Sequence, residues 1–236
     1  MTRIAGRLTL LAWLVSLVAA GPALADSFTA MPTLDAKKQN DLQIRFVRYD
    51  GSTNGAMVVE IRNKGKRTSS FSAEGLFFVP TGDPEKAPQR LGAAGPFVEI
   101  ASSGKGAHKE KVDLRPGETK QLALEVFCID SHRASPNSNT RFTVAKKRMP
   151  KQLRQEVSAG SKQIIKRNKG SVSKSKSAIQ SHMWQTRDKK WIKLEGERKN
   201  EKAVNKSPIQ MRNVQMRNNR RPVRQKRRIQ RNVAPE

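Results

Sequence analysis

A single cysteine, Cys128, stands among 236 residues, so the chain forms no disulfide within itself. Histidine is nearly as scarce. His108, His132 and His182 are scattered, without the close-spaced ligand pairs of structural zinc, so no metal site is expected. No phosphate-binding glycine loop or dinucleotide fingerprint occurs, and no cofactor is expected. Gly104-Lys105-Gly106 reads as a flexible turn in a loop from Ser102 to His108. No pair of carboxylates stands out for glycoside hydrolysis. The apolar run Leu8–Ala20 is short for a membrane span, and nothing after it resembles a transmembrane segment.

That one apolar run belongs to a secretory signal. Arg3 and Arg7 precede it, and Ala23-Leu24-Ala25 presents small residues at the two recognition positions, placing cleavage before Asp26. The alternative is a retained N-terminal anchor. The expected address is periplasmic, secreted or surface-associated. Extracytoplasmic chains usually pair their cysteines, which makes the solitary Cys128 conspicuous.

Charge is plentiful but uneven. The chain carries a formal net charge of +27. Residues 1–145 hold 19 Lys and Arg against 14 Asp and Glu, a net of +5. Residues 146–236 hold 28 against 6, a net of +22. An ordinary domain is thus followed by a polycation suited to an anionic surface or polymer: polysaccharide, lipopolysaccharide or extracellular DNA.

Residues 26–40 read as a lead-in. From 41 to 145 the apolar pattern has a period of two. Leu42, Ile44 and Phe46 alternate with polar neighbours, as do Met57, Val59 and Ile61, and Leu122, Leu124 and Val126. Each set puts one apolar face on a strand. Leu76–Val79, Val98–Ile100 and Phe142–Val144 are shorter candidates. Turn-rich connectors separate them, including Asp50–Gly55 and Leu114-Arg115-Pro116-Gly117-Glu118; longer loops are expected at Pro80–Pro88 and Gly92–Pro96. The fold class is therefore mainly β with C-terminal helices, an antiparallel β-sandwich-like domain.

Residues 146–196 read as a helical extension packed on the sandwich. Pro150 opens a helix that Gly160 is expected to end; Ile164 and Ile165 form an apolar island. Lys169–Ser177 is expected to be a loop. Ile179, Met183 and Trp184 mark one face of a second helix, followed by a packed extended segment around Trp191, Ile192 and Leu194. From Glu197 to Glu236 apolar residues are too few to offset chain entropy, and a disordered basic tail is expected.

Phe127-Cys128-Ile129-Asp130 and Ile179-Gln180-Ser181-His182-Met183-Trp184 resemble the two short signatures of bacterial surface thioester domains. The resemblance covers these two motifs only. It implies that Cys128 supplies sulfur and Gln180 supplies the acyl group of an internal thioester, with loss of ammonia. It also implies an adhesive role, in which an amine on a protein target opens the bond and becomes attached. Such chemistry needs the poor amide electrophile held in attack geometry and shielded from water; Phe127, Ile129, Ile179, Met183 and Trp184 are candidate shields. His132, Asp130 and His182 are candidates for proton transfer.

Two other readings stand beside this one. Cys128 can be an inert core thiol, leaving a purely electrostatic module that acts through Arg220, Arg221, Arg224, Lys226, Arg227 and Arg228. Trp184 and Trp191 precede that tail, so it lacks interleaved stacking platforms for single-stranded nucleic acid. Alternatively Cys128 pairs with His108, His132 or His182 in a thiol-dependent hydrolase.

Overall fold

The computed structural model describes residues 27–34, 41–51, 53–101, 104–189 and 191–201. Residues 1–26, where a signal is expected, and residues 202–236, including Arg220 to Arg228, lie outside them. The strands are β1 (Thr29–Ala30), β2 (Leu42–Tyr49), β3 (Ala56–Asn63), β4 (Ser69–Ser72), β5 (Phe77–Pro80), β6 (Leu91–Ala101), β7 (Gly104–Lys109), β8 (Lys111–Leu114), β9 (Thr119–Cys128) and β10 (Phe142–Val144). Two helices follow, α1 (Lys151–Arg167) and α2 (Val172–Lys189).

All pairing is antiparallel. The main sheet runs β1-β2-β3-β9-β6-β5-β10, with β7 folded onto β6; β4 and β8 form a separate pair. The sheet curls towards a barrel. Phe142 of β10 packs against Phe46 and Tyr49 of β2, at ring-centroid separations of 5.9 and 5.6 Å.

The period-two pattern accounts for the inner core. Leu42, Ile44, Met57, Val59, Ile61, Leu122, Leu124 and Val126 are all buried there. Cys128 continues the even-numbered face of β9 into the same core. Its neighbours Phe127 and Ile129 face the opposite way, into a second core with Leu153 and Val157 of α1 and Ile179 and Met183 of α2. The C-terminal half of β9 is therefore buried on both faces. Each such apolar side chain contributes roughly 1.5–3 kcal/mol, so the helices are integral to the domain.

Several sequence expectations are corrected. Gly92–Pro96 is not a loop but part of the long strand β6. A register shift against β9 between Ala93 and Phe97 bulges Ala94-Gly95-Pro96 out of the ladder, and a bulge tolerates a proline that has no N–H to donate. Gly104–Lys109 is not a flexible turn but strand β7. Gly160 does not end α1. It lies within the helix, at a close-packing point against α2, where an added Cβ would sit 2.0 Å from Nε2 of His182. The cost of one interior glycine, about 1 kcal/mol, is outweighed by burial of that helix face. Lys169–Ser177 is not all loop: α2 starts at Val172, whose buried side chain and that of Ser175 lie on the packed face. Glu197–Glu201 is ordered and packed rather than part of a free tail.

Arg148 fixes the entry into α1. It is buried and donates to the main-chain oxygens of Pro32 (2.8 Å), Ser72 (3.0 Å) and Glu74. Burial, aided by nearby Arg154, pulls its guanidinium down to about 10.

Candidate functional site

Strand β3 stops before β9 does. The last β3 pairing is Ala56 with Glu125, and Gly55 accepts one more bond from the Val126 N–H. On the other edge β9 continues with β6, and the Ile129 N–H reaches Arg90 O. Cys128 is thus left with a main-chain N–H and C=O facing the space that β3 has vacated. Buried main-chain groups must find partners. Gln180 of α2 supplies both. The Cys128 N–H donates to Gln180 Oε1 at 2.9 Å, and Gln180 Nε2 donates to Cys128 O at 2.7 Å. One carboxamide thereby does the work of the next strand residue. Both side chains are fully buried.

The two residues selected from sequence are therefore neighbours in space. The surroundings are dry. Phe127, Ile129, Ile179, Met183 and Trp184 are all buried, and the Trp184 indole N–H donates to Gln89 Oε1 at 3.3 Å. Burial pushes the Cys128 thiol well above its ordinary pKa, and the negative charge of Asp130 adds to the shift. The sulfur is held as a thiol, not a thiolate.

Asp130 itself points into an ion cluster. It accepts from Arg90 Nε at 2.7 Å and Arg90 NH2 at 2.5 Å, and also from the Arg90 main-chain N–H at 3.2 Å. Both side chains are fully enclosed. Arg133 donates to the two oxygens of Glu201, and His132 Nε2 lies 2.5 Å from Glu201 Oε1. Arg90 also donates to Glu195 O at 2.9 Å, and Arg187 pairs with Glu197 at 3.3 Å while lying 3.9 Å over the Trp191 ring. Burial would raise the Glu201 carboxyl, but hydrogen bonds from Arg133 and His132 and the Arg198 N–H outweigh it and hold the group at about 2. The segment after α2 is thereby strapped to the β domain. Its sequence signal was available: Glu195, Glu197 and Glu201 are half of the six acids after residue 145, clustered where the chain is otherwise basic.

The candidate proton carriers are placed as follows. His132 sits in the Glu201 cluster, and His182 Nε2 lies 3.1 Å from Glu156 O on α1. His108 is on β7, with Nε2 3.4 Å from Glu125 Oε1. A residue that local pattern did not single out is Tyr49, the only tyrosine. It is buried in the same inner core as Cys128, and its hydroxyl makes no hydrogen bond among the described residues. Burial, then the neighbouring Cys128 and Asp50, raise its pKa. The uniqueness of both residues was countable, but the end of β2 and the end of β9 meet only through tertiary packing.

Among the described residues, no group of three or more His, Cys, Asp or Glu is arranged to hold a metal ion. No described helix is long and apolar enough to cross a membrane. Compared with family models, curated proteins and solved structures, the chain matches none.

Proposed function

We propose that this is an exported, surface- or matrix-associated binding protein in which Cys128 and Gln180 close an internal thioester for covalent capture of an amine. The observation that carries this reading is the seating of the Gln180 carboxamide on Cys128. In closure, Sγ of Cys128 bonds to Cδ of Gln180, the Cδ–Nε2 bond breaks, and the amide nitrogen leaves as ammonia with the thiol proton. In capture, an incoming primary amine bonds to the same carbon and the thiol is returned. Closure gives up two hydrogen bonds worth about 1 kcal/mol each. Closure also requires the Cys128 thiol, which faces the inner core, to turn towards Gln180 Cδ, and the packed β9 and α2 keep that search short. Both residues are buried, so an amine reaches the bond only when α2 moves off β9.

Intact mass is the test. The mature protein is expected to be lighter by one ammonia, and Cys128→Ala or Gln180→Ala should each restore the mass calculated from sequence. A wild-type protein of full mass, with one thiol alkylated after denaturation, overturns the reading.

A second reading rests on the net charge of +22 in residues 146–236. Here the basic tail binds an anionic polymer or surface and Cys128 is inert. Heparin retention should then fall steeply with salt, because counterion release dominates such binding. Deleting residues 202–236, which spares Glu197 and Glu201, should remove most of it; unchanged retention would reject the tail as the binding element. The hydrolase reading has no such support, since the hydrogen bonds of the three histidines go to Glu201, Glu156 and Glu125.

A further inference from the structure

The β6 bulge opens a second site, on the side of the domain where α1 crosses the sheet. A cleft of about 520 Å³ lies between α1, β6 and the β4–β8 pair. Its floor is the bulge Ala93–Pro96 with Met149, Val157 and Ile165. Ala93, Ala94, Met149 and Val157 are buried. The hollow is real at its centre: a Cβ added to Gly95 would meet only Ile165 Cδ1, at 4.0 Å. The Gly95 φ is not in the left-handed region, so the position would accept a side chain.

The rim is cationic. Lys111, Arg154, Lys162 and Lys166 line it, against Glu74 and Glu110. Lys162 and Glu110 bridge the mouth at 2.9 Å, which neutralises one pair. Arg154 runs along the Gly75 turn, where φ is +70° and any Cβ would lie 2.4 Å from Arg154 Cδ. Its Nε is buried without a hydrogen bond; Glu74 Oε1 lies 3.4 Å away but misaligned. Arg154 is thus ion-paired with Glu74 but keeps one buried N–H unbonded. With Lys111 and Lys166, unpaired among the described residues, at the edge of the hollow, this favours an anionic head above an apolar body.

We infer that this cleft binds a single-chain anionic amphiphile of the fatty-acid class, with its carboxylate between Lys111, Arg154 and Lys166 and its chain on the Ala93–Pro96 bulge. The volume is in the range of small-molecule sites. The rim charge disfavours the chain's own residues 202–236, which are strongly basic, and equally a second copy. The inference is independent of the Cys128–Gln180 reading.

Calorimetric titration of the full mature chain with laurate and with dodecanol tests it. Laurate should bind one per chain, and dodecanol, lacking the charge, about tenfold more weakly or worse. Gly95→Trp fills the floor and should lose the laurate signal, with an unchanged melting curve. Lys111→Glu combined with Lys166→Glu, both on exposed side chains, should weaken laurate about tenfold and serves if the tryptophan variant does not fold. Laurate held only by the basic tail would bind at several sites and ignore all of these substitutions, and that result overturns the inference. So would equal affinity for dodecanol, or a dimer that covers the cleft while laurate fails to bind.

Discussion

Gln180→Glu should lower the unfolding free energy by about 3–5 kcal/mol, a range typical of an unpaired buried charge. A carboxylate accepts but does not donate, so the oxygen replacing Nε2 would face Cys128 O, which lies 2.7 Å from that position. The variant must either bury a charge against a carbonyl or protonate. Gln180→Leu should cost about 2–4 kcal/mol, since the Cys128 N–H and C=O would both be left unsatisfied. The measurement is a urea midpoint made in a Cys128→Ala background. That background retains the main-chain groups that Gln180 bonds, and it excludes any thioester. If Gln180→Leu is neutral there, the carboxamide does not hold α2 on β9. A neutral result would also remove the seating on which the thioester reading rests.

The second large effect is expected in the ion cluster. Asp130→Ala should destabilise by about 3 kcal/mol, the low end for breaking a buried pair, because Arg90 is fully enclosed and would keep only the longer contact to Glu201 at 3.5 Å. Acid should act on the same cluster through Glu201. Its carboxyl is held at about 2, below the ordinary 4.5. A depressed carboxylate stabilises the folded state fully above the unfolded value, and that contribution is lost as pH falls from about 4.5 to about 2. Stability of the wild type should therefore decline through this window, and Glu201→Gln should flatten the decline at the expense of stability at neutral pH. Urea midpoints at pH 7, 4 and 2.5 check this. Parallel curves for the two proteins would show that Glu201 is not the acid-sensitive contact. Release of the strap should be visible separately, as quenching or exposure of Trp191 over Arg187.

How much of this was legible before folding differs from element to element. Leu42–Phe46, Met57–Ile61 and Leu122–Val126 alternate cleanly, and each became a strand of the inner core. β4 and β8 escaped notice because Ser69-Ser70-Phe71-Ser72 and Lys111-Val112-Asp113-Leu114 bury too few apolar residues to register as a period. The helices were found but their limits were misplaced. Gly160 and the Lys/Ser-rich start of α2 carry poor local propensity, and packing between α1 and α2 overrode it. The strap was misread for a related reason: residues 197–201 have almost no apolar content, and what holds them is paired charge, which a hydropathy pattern does not record.

Local composition by itself determined that the front of the chain is an antiparallel β domain and the back a polycation, since strand period and charge density are properties of neighbouring residues. It also singled out Cys128 as the one cysteine, whereas Gln180 was picked out only by the resemblance of its motif to a thioester-domain signature. Only the tertiary structure decided that they meet, 52 positions apart, and in which manner. β3 ends short, β9 runs on, and a buried peptide group has to be satisfied by whatever side chain α2 presents there. That geometry follows from where strands stop and helices cross. The cleft over Gly95 arises the same way, from a register slip that no run of adjacent residues spells out.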